Sequence, residues 1–287
     1  MATTATPGPD WYRRAAQVRG RAVPPPAAQA SPDQPASRPR RLLSNSNRNL
    51  ARDRIWSWSI PALAARLPDG RTIRTCPSAG VCAQACYARS GSYTFPSVKN
   101  AHLRNLAFAV QDPDGWEQAM KDELTARRFD GAAVRIHDSG DFFSADYARS
   151  WLRIIRSAPN TRFYAYTKEV RLHDQLLQPE CPPNAAWVLS LGGTQDRRVD
   201  PRRHRIADVF PDEESIGEAG FHSQAESDLL AVDGPAPVGM AANRIPRFQR
   251  RQGDRTFGQW QREVDQQRRA RRAATGSRTP ERAGTSS

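Results

Sequence analysis

The chain has 287 residues, of which 38% are hydrophobic and 25% charged, with a formal net charge of +13. That length buries a sizeable core in one large domain or two small ones. No apolar run approaches the ~20 residues of a membrane-spanning helix, and no hydrophobic N-terminal stretch reads as a secretory signal, so a cytoplasmic protein with no membrane partner is expected.

Residues 1–41 carry seven Arg and two acidic residues and are rich in Pro and Ala. Such a composition buries too little to stay ordered and reads as a disordered tail. The folded part is placed at 42–245; across 42–243 basic and acidic residues balance at 24 each. It opens with a strand at 55–60, where Trp56, Trp58 and Ile60 alternate with Ser57 and Ser59 until Pro61 ends the run. A cysteine-rich loop follows. Helical spacing then recurs at about 97–110 (Leu103, Leu106, Val110) and about 115–128 (Trp116, Met120, Leu124).

After Asp130-Gly131, the strand 132–136 runs into His137-Asp138-Ser139-Gly140-Asp141, and Ser144 caps a helix at 145–157. A strand at 162–167, a short helix near 172–177 and a strand at 186–191 closed by Gly192-Gly193 come next. Weaker strands are read at 205–210, 228–232 and 238–242. Residues 246–287 read as a basic tail, with a helix beginning near Phe257 and running to about Arg272. Strands alternating with helices across short connections predict an α/β fold, an incomplete parallel (βα) barrel of about six strands flanked by disordered basic tails. In such folds, functional groups gather at the C-terminal ends of the strands. The cysteine loop, the 137–141 run, Lys168 and Gly192-Gly193 each follow a strand and are expected on one rim.

Cys76, Cys82 and Cys86 stand within one loop with Tyr87 directly after, and Cys181 is the one other cysteine. Three clustered thiols with small residues between them suit an iron–sulfur cluster with one iron left open. Zinc with His102 or His137 as a fourth ligand is the alternative, and plain buried thiols are a third reading. In the 137–141 run, His137 is a candidate for proton transfer, Gly140 for close backbone approach to a ligand, and Asp141 for binding a ligand amine. The same run could simply be a helix-capping turn. Lys168 could meet an anionic group or be a solvated strand end. Gly192-Gly193 could make room for a nucleoside or be a turn. The Arg-rich ends could contact nucleic acid weakly through phosphates, or be solubilising tails in a chain with 40 Arg and 3 Lys.

Cys82…Cys86-Tyr87-Ala88, the 135–144 run Arg-Ile-His-Asp-Ser-Gly-Asp-Phe-Phe-Ser, Tyr147 with Trp151, and Arg162-Phe163-Tyr164-Ala165-Tyr166-Thr167-Lys168 resemble the phage-associated gene product 88 family over about 43–191. That family brings no assigned activity. A more distant resemblance is to radical S-adenosylmethionine enzymes. It implies a [4Fe–4S] cluster on Cys76, Cys82 and Cys86, and S-adenosylmethionine held near Tyr87, Ser139, Gly140 and Asp141. His137 or Lys168 would then act on a small-molecule substrate, which the resemblance does not name, and an electron donor is required. The cysteine spacing here is looser than in that superfamily, and Ser-Gly-Asp replaces its Gly-Gly-Glu. A nucleotide or nucleic-acid modification fits the basic ends. The alternative from another class is a zinc-stapled nucleic-acid-binding protein without catalysis.

Overall fold

The structure is a computed structural model that describes residues 41–276 together with Pro39; of the tails expected at 1–41 and 246–287, residues 1–38, 40 and 277–287 lie outside the described residues. Seven strands form one all-parallel sheet: β1 (Ile55–Trp58), β4 (Ala133–Ile136), β5 (Arg162–Thr167), β6 (Ala185–Ser190), β7 (Ile206–Phe210), β8 (His222–Ser223) and β9 (Val238–Ala241). A short hairpin, β2 (Ala65–Arg66) and β3 (Thr72–Ile73), projects after β1. The sheet order is β1-β4-β5-β6-β7-β9-β8. It therefore winds almost sequentially and stays open, with β1 and β8 at its edges. The sequence pattern missed β8 and the hairpin because two-residue strands carry no readable alternation.

Register explains the layering. Trp58, Ile136, Ala165 and Trp187 lie side by side on one face. Against that face pack α2 (Pro96–Gln111), α3 (Pro113–Leu124) and α4 (Ala145–Ser157). Proline at the start of α2 and α3 is tolerated because those N–H groups have no intrahelical acceptor. In α4 the Ser144 hydroxyl accepts from the Tyr147 N–H at 3.2 Å, while Tyr147, Trp151, Leu152 and Ile155 turn inward. Trp58, Trp116 and Trp151 are fully buried, with ring centroids 5.4–6.2 Å apart. Burying each such ring contributes about 3 kcal/mol.

The opposite face carries Ser57, Arg135, Tyr164 and Ala186 in register. It is covered in part by the segment through α7 (Leu230–Asp233), which packs Leu229, Ala231 and Val232 against the strands. Residues 228–232, expected as a weak strand, are therefore a turn and a short helix beneath the sheet. The remaining helices are α1 (Arg48–Arg52), α5 (Val170–Leu172, continuing as a π turn His173–Leu177), α6 (Glu213–Glu218), α8 (Pro246–Gln252) and α9 (Phe257–Gly276). The segment from 246, expected as a tail, is helical, and its first half belongs to the folded body: Phe248, Phe257 and Trp260 are buried. Among the described residues no helix is long and apolar enough to cross a membrane.

Candidate functional site

The cysteine loop leaves β3 with Cys76, carries Cys82 in a single 3-10 turn and ends at Cys86. A loop with so little secondary structure must be held from outside, and two distant side chains do this. The Glu169 carboxylate, just beyond β5, accepts from the Ser78 N–H at 2.7 Å and the Ser78 hydroxyl at 2.8 Å. Gln261 of α9 accepts the Val81 N–H at 2.8 Å. Val81 and Ala85 pack on Phe248, Phe257 and Trp260, with Cys82 beside them. Arg251 adds a bond to the Gln84 carbonyl at 3.0 Å. Gly192 has a φ of +94°, and a Cβ there would lie 2.9 Å from Phe257. Room for α9, rather than for a nucleoside, accounts for that glycine.

All three cysteines line one cavity of about 620 Å³ at the C-terminal rim of the sheet. The same cavity is lined by Tyr87, His137, Ser139, Gly140, Asp141 and Lys168. The expected convergence is therefore present. Burial, followed by repulsion from Asp141, pushes the Cys76 thiol far up; burial with repulsion from Cys82 pushes Cys86 up to about 11. A cation is what would let these thiols ionise together. The Leu63 N–H already points at the Cys76 sulfur, 3.3 Å away, the kind of donor that tunes a bound cluster.

A tetrahedral zinc site would bring sulfurs to about 3.8 Å of one another, given Zn–S bonds of about 2.3 Å. Among the described residues, the one group of three ligating side chains whose atoms lie within 4.8 Å of one another is His173, Asp174 and His204, remote from the cysteine loop in sequence. Neither His102 nor His137 closes the cysteine trio into such a group.

Several rim residues do work other than that expected of them. Asp141 is 5% exposed and accepts from the Thr167 hydroxyl (2.6 Å), the Lys168 N–H (2.9 Å) and the Phe142 N–H (2.8 Å). It ties β4 to β5 rather than standing free for an amine. The Lys168 ammonium donates to the Ser190 carbonyl and hydroxyl and the Leu191 carbonyl at 2.7–3.0 Å, so its three hydrogens are engaged at the end of β6. His137 is driven down to about 3 by burial and is neutral at physiological pH. Its Nε2 lies 2.9 Å from the Tyr147 hydroxyl, whose oxygen also accepts from the Trp58 indole at 2.7 Å. The imidazole therefore anchors α4, and its Nδ1 is buried without a partner. Gly140 (φ +92°) is required because a Cβ there would sit 2.3 Å from Ile60, a packing demand and not a ligand one.

Around Asp138 of the 137–141 run, the structure gathers Arg135 and Asp228, which the sequence reading assigned no role, on the cavity wall. Asp138 accepts from the Tyr93 hydroxyl at 2.6 Å, and its carbonyl accepts from Tyr87 at 2.5 Å. Arg135 lies 3.5 Å from Asp138 and 3.2 Å from Asp228, with its guanidinium 5.0 Å from the Tyr166 ring centre. Burial opposes that charge, but Asp228, Tyr87 and Asp138 hold it well above the usual arginine value. Asp228 also accepts from the Tyr164 and Tyr166 hydroxyls. The available signal was a lone charge inside a strand whose other residues are apolar.

Fold and site together define an open, sequentially wound parallel α/β protein with three cysteine thiols on a rim cavity. The family model described as Gene product 88 matches residues 41–276, and the chain belongs to that family. The Gene 88 protein of Mycobacterium phage L5 is 35% identical over 124 residues, covering 39% of this chain and 51% of that protein. The Gene 88 protein of Mycobacterium phage D29 is 32% identical over 124 residues with the same coverage. The chain thus spans about half the length of these curated relatives, and neither name states an activity. No solved structure matches the chain. The matches carry the phage-family resemblance and not the more distant one to radical S-adenosylmethionine enzymes.

Proposed function

We propose that this protein is an iron–sulfur protein whose Cys76, Cys82 and Cys86 hold a [4Fe–4S] cluster with one iron open to the cavity, and that S-adenosylmethionine binds there. The observation that supports this reading is the meeting of three thiols on a single rim cavity; among the described residues no histidine or carboxylate forms a compact three-ligand group with these cysteines. When bound and reduced by an external one-electron donor, such a cluster would supply the electron that breaks one C–S bond of the sulfonium ligand, leaving a thioether and a carbon radical able to attack a substrate.

The chain's own residues would position and exclude. Glu169 and Gln261 hold the two halves of the loop. Asp138, held by Tyr93 and Arg135 on the cavity wall, would accept a ligand amine, whereas Asp141 is taken up by Thr167, Phe142 and Lys168. His137, bonded to Tyr147, and Lys168, bonded to Ser190 and Leu191, would shape the wall. The substrate would lie toward Arg135, Tyr166 and Asp228, where aromatic faces and polar edges suit a planar, hydrogen-bonding group such as a nucleobase.

Anaerobic purification with iron and sulfide analysis tests this, on the wild type and on Cys82→Ala. About four irons and four sulfides per chain, lost in the variant, with a spectral change on adding S-adenosylmethionine, is the expected result. One tightly held zinc and no iron after reconstitution would overturn it and leave a metal-stapled binding protein.

A further inference from the structure

Helix α9 has two unlike halves. Its root buries Phe257, Trp260 and Gln261 against the cysteine loop: Trp260 clusters with Val81, and the Gly258 N–H donates to buried Asp208 at 3.0 Å. From Gln266 to Thr275 every residue is exposed. This outer half carries Arg268, Arg269, Arg271 and Arg272 and no acidic residue. At 100° per residue the four arginines share one side of the helix, and Ala270, Ala273 and Ala274 occupy the other. Like charges three and four residues apart repel one another, an arrangement that weakens a free helix and is relieved by a polyanion.

The basic surface continues inward from the arm. Arg244, Arg247, Arg250 and Arg251 are exposed in and before α8, the helix whose Phe248 and Gln252 line the cavity. Between 244 and 276 there are ten arginines and three acidic residues. Among the described residues of that span, the one arginine ion-paired to a carboxylate is Arg255, with Glu263 at 2.6 Å. The outer half of α9 has no apolar face to insert into lipid, since the side opposite the arginines is alanine and glutamine.

We infer that α9 is a nucleic-acid docking arm, rooted on the cysteine loop, that lays a strand along its arginine face toward the mouth of the cavity. Phosphates fit the charge and spacing of the arginines, and their contact carries no sequence preference. The root explains why this basic segment is folded at all: its apolar residues and Gln261 are part of the wall that holds Val81 and Cys82. The inference concerns surface chemistry and stands whatever metal the cysteines hold.

The test uses the full chain and a fluorescein-labelled DNA duplex of about two helical turns, read by anisotropy over a range of salt concentrations. Binding should weaken steeply with salt. The variant Arg268→Gln/Arg269→Gln/Arg271→Gln/Arg272→Gln should bind at least about tenfold more weakly, with a log–log salt slope shallower by about 3 to 4. These side chains are exposed, so an unchanged Tm should show that the fold is intact. Photocrosslinking with iododeoxyuridine in the duplex should map to 243–276. Unchanged binding by the variant, crosslinks confined to other segments, or binding to phosphatidylserine vesicles but not to the duplex would each overturn the inference.

Discussion

Glu169 is where the cysteine loop is most open to a quantitative challenge. Its carboxyl is 8% exposed, and burial, with repulsion from Asp141, pushes it up to about 7 from an ordinary 4.5. Below pH 4.5 the native and unfolded chains both hold this proton, so the group favours neither. Between 4.5 and 7 the native state keeps a proton that the unfolded chain has released, and stability falls as pH rises. The loss is complete once pH passes the native value, and amounts to about 3 kcal/mol.

Glu169→Gln carries no charge, and its amide oxygen can still accept the Ser78 N–H. The variant should therefore escape that loss. Urea unfolding followed by tryptophan fluorescence at pH 5 and pH 8 should show the variant gaining about 2.5 kcal/mol relative to wild type across the interval. Other titrating groups, such as Asp196 and Asp208, are common to both proteins and cancel in the difference. A wild-type-to-variant gap that stays constant with pH would refute the reasoning.

Three further outcomes follow from packing and pairing. Gly80→Ala would place a Cβ 2.0 Å from the Gln261 side-chain oxygen and 2.8 Å from the Gly192 carbonyl. It should cost about 1–3 kcal/mol in urea unfolding and lower the iron retained after reconstitution; unchanged stability would show that the loop and α9 are not in contact. Asp228→Asn leaves buried Arg135 with Asp138 alone and should cost about 3 kcal/mol by the same assay, whereas a neutral result would mean that the arginine is solvated. Finally, His204 accepts the Asp200 N–H on Nδ1 at 3.0 Å, which leaves its Nε2–H to donate to Asp174 at 3.1 Å. That cluster is thereby a hydrogen-bonded clasp, and zinc added to a Cys76→Ala/Cys82→Ala/Cys86→Ala variant should leave its Tm unchanged. A zinc-induced rise would make the clasp a metal site.

The sequence by itself determined the alternation of strands and helices, because side-chain period is a property of chain neighbours. The helix Ala145–Ser157 and its Ser144 cap were legible to the residue, as was the strand Arg162–Thr167. The placing of the cysteine loop, the 137–141 run and Lys168 on one rim followed from parallel strands sharing one end. Tertiary structure alone decided what each rim residue does. Asp141 and Lys168 are charges that the sequence offered to a ligand, yet their bonds close on Thr167, Ser190 and Leu191 because β4, β5 and β6 lie side by side. The residues that hold the cysteine loop sit 91 and 180 positions away from their partners on it. Sheet order and helix docking create such contacts, and no local pattern encodes them. The same holds for the basic C-terminal segment: its charge was visible in the sequence, but only the burial of Phe257 and Trp260 shows that half of it is wall and half is arm.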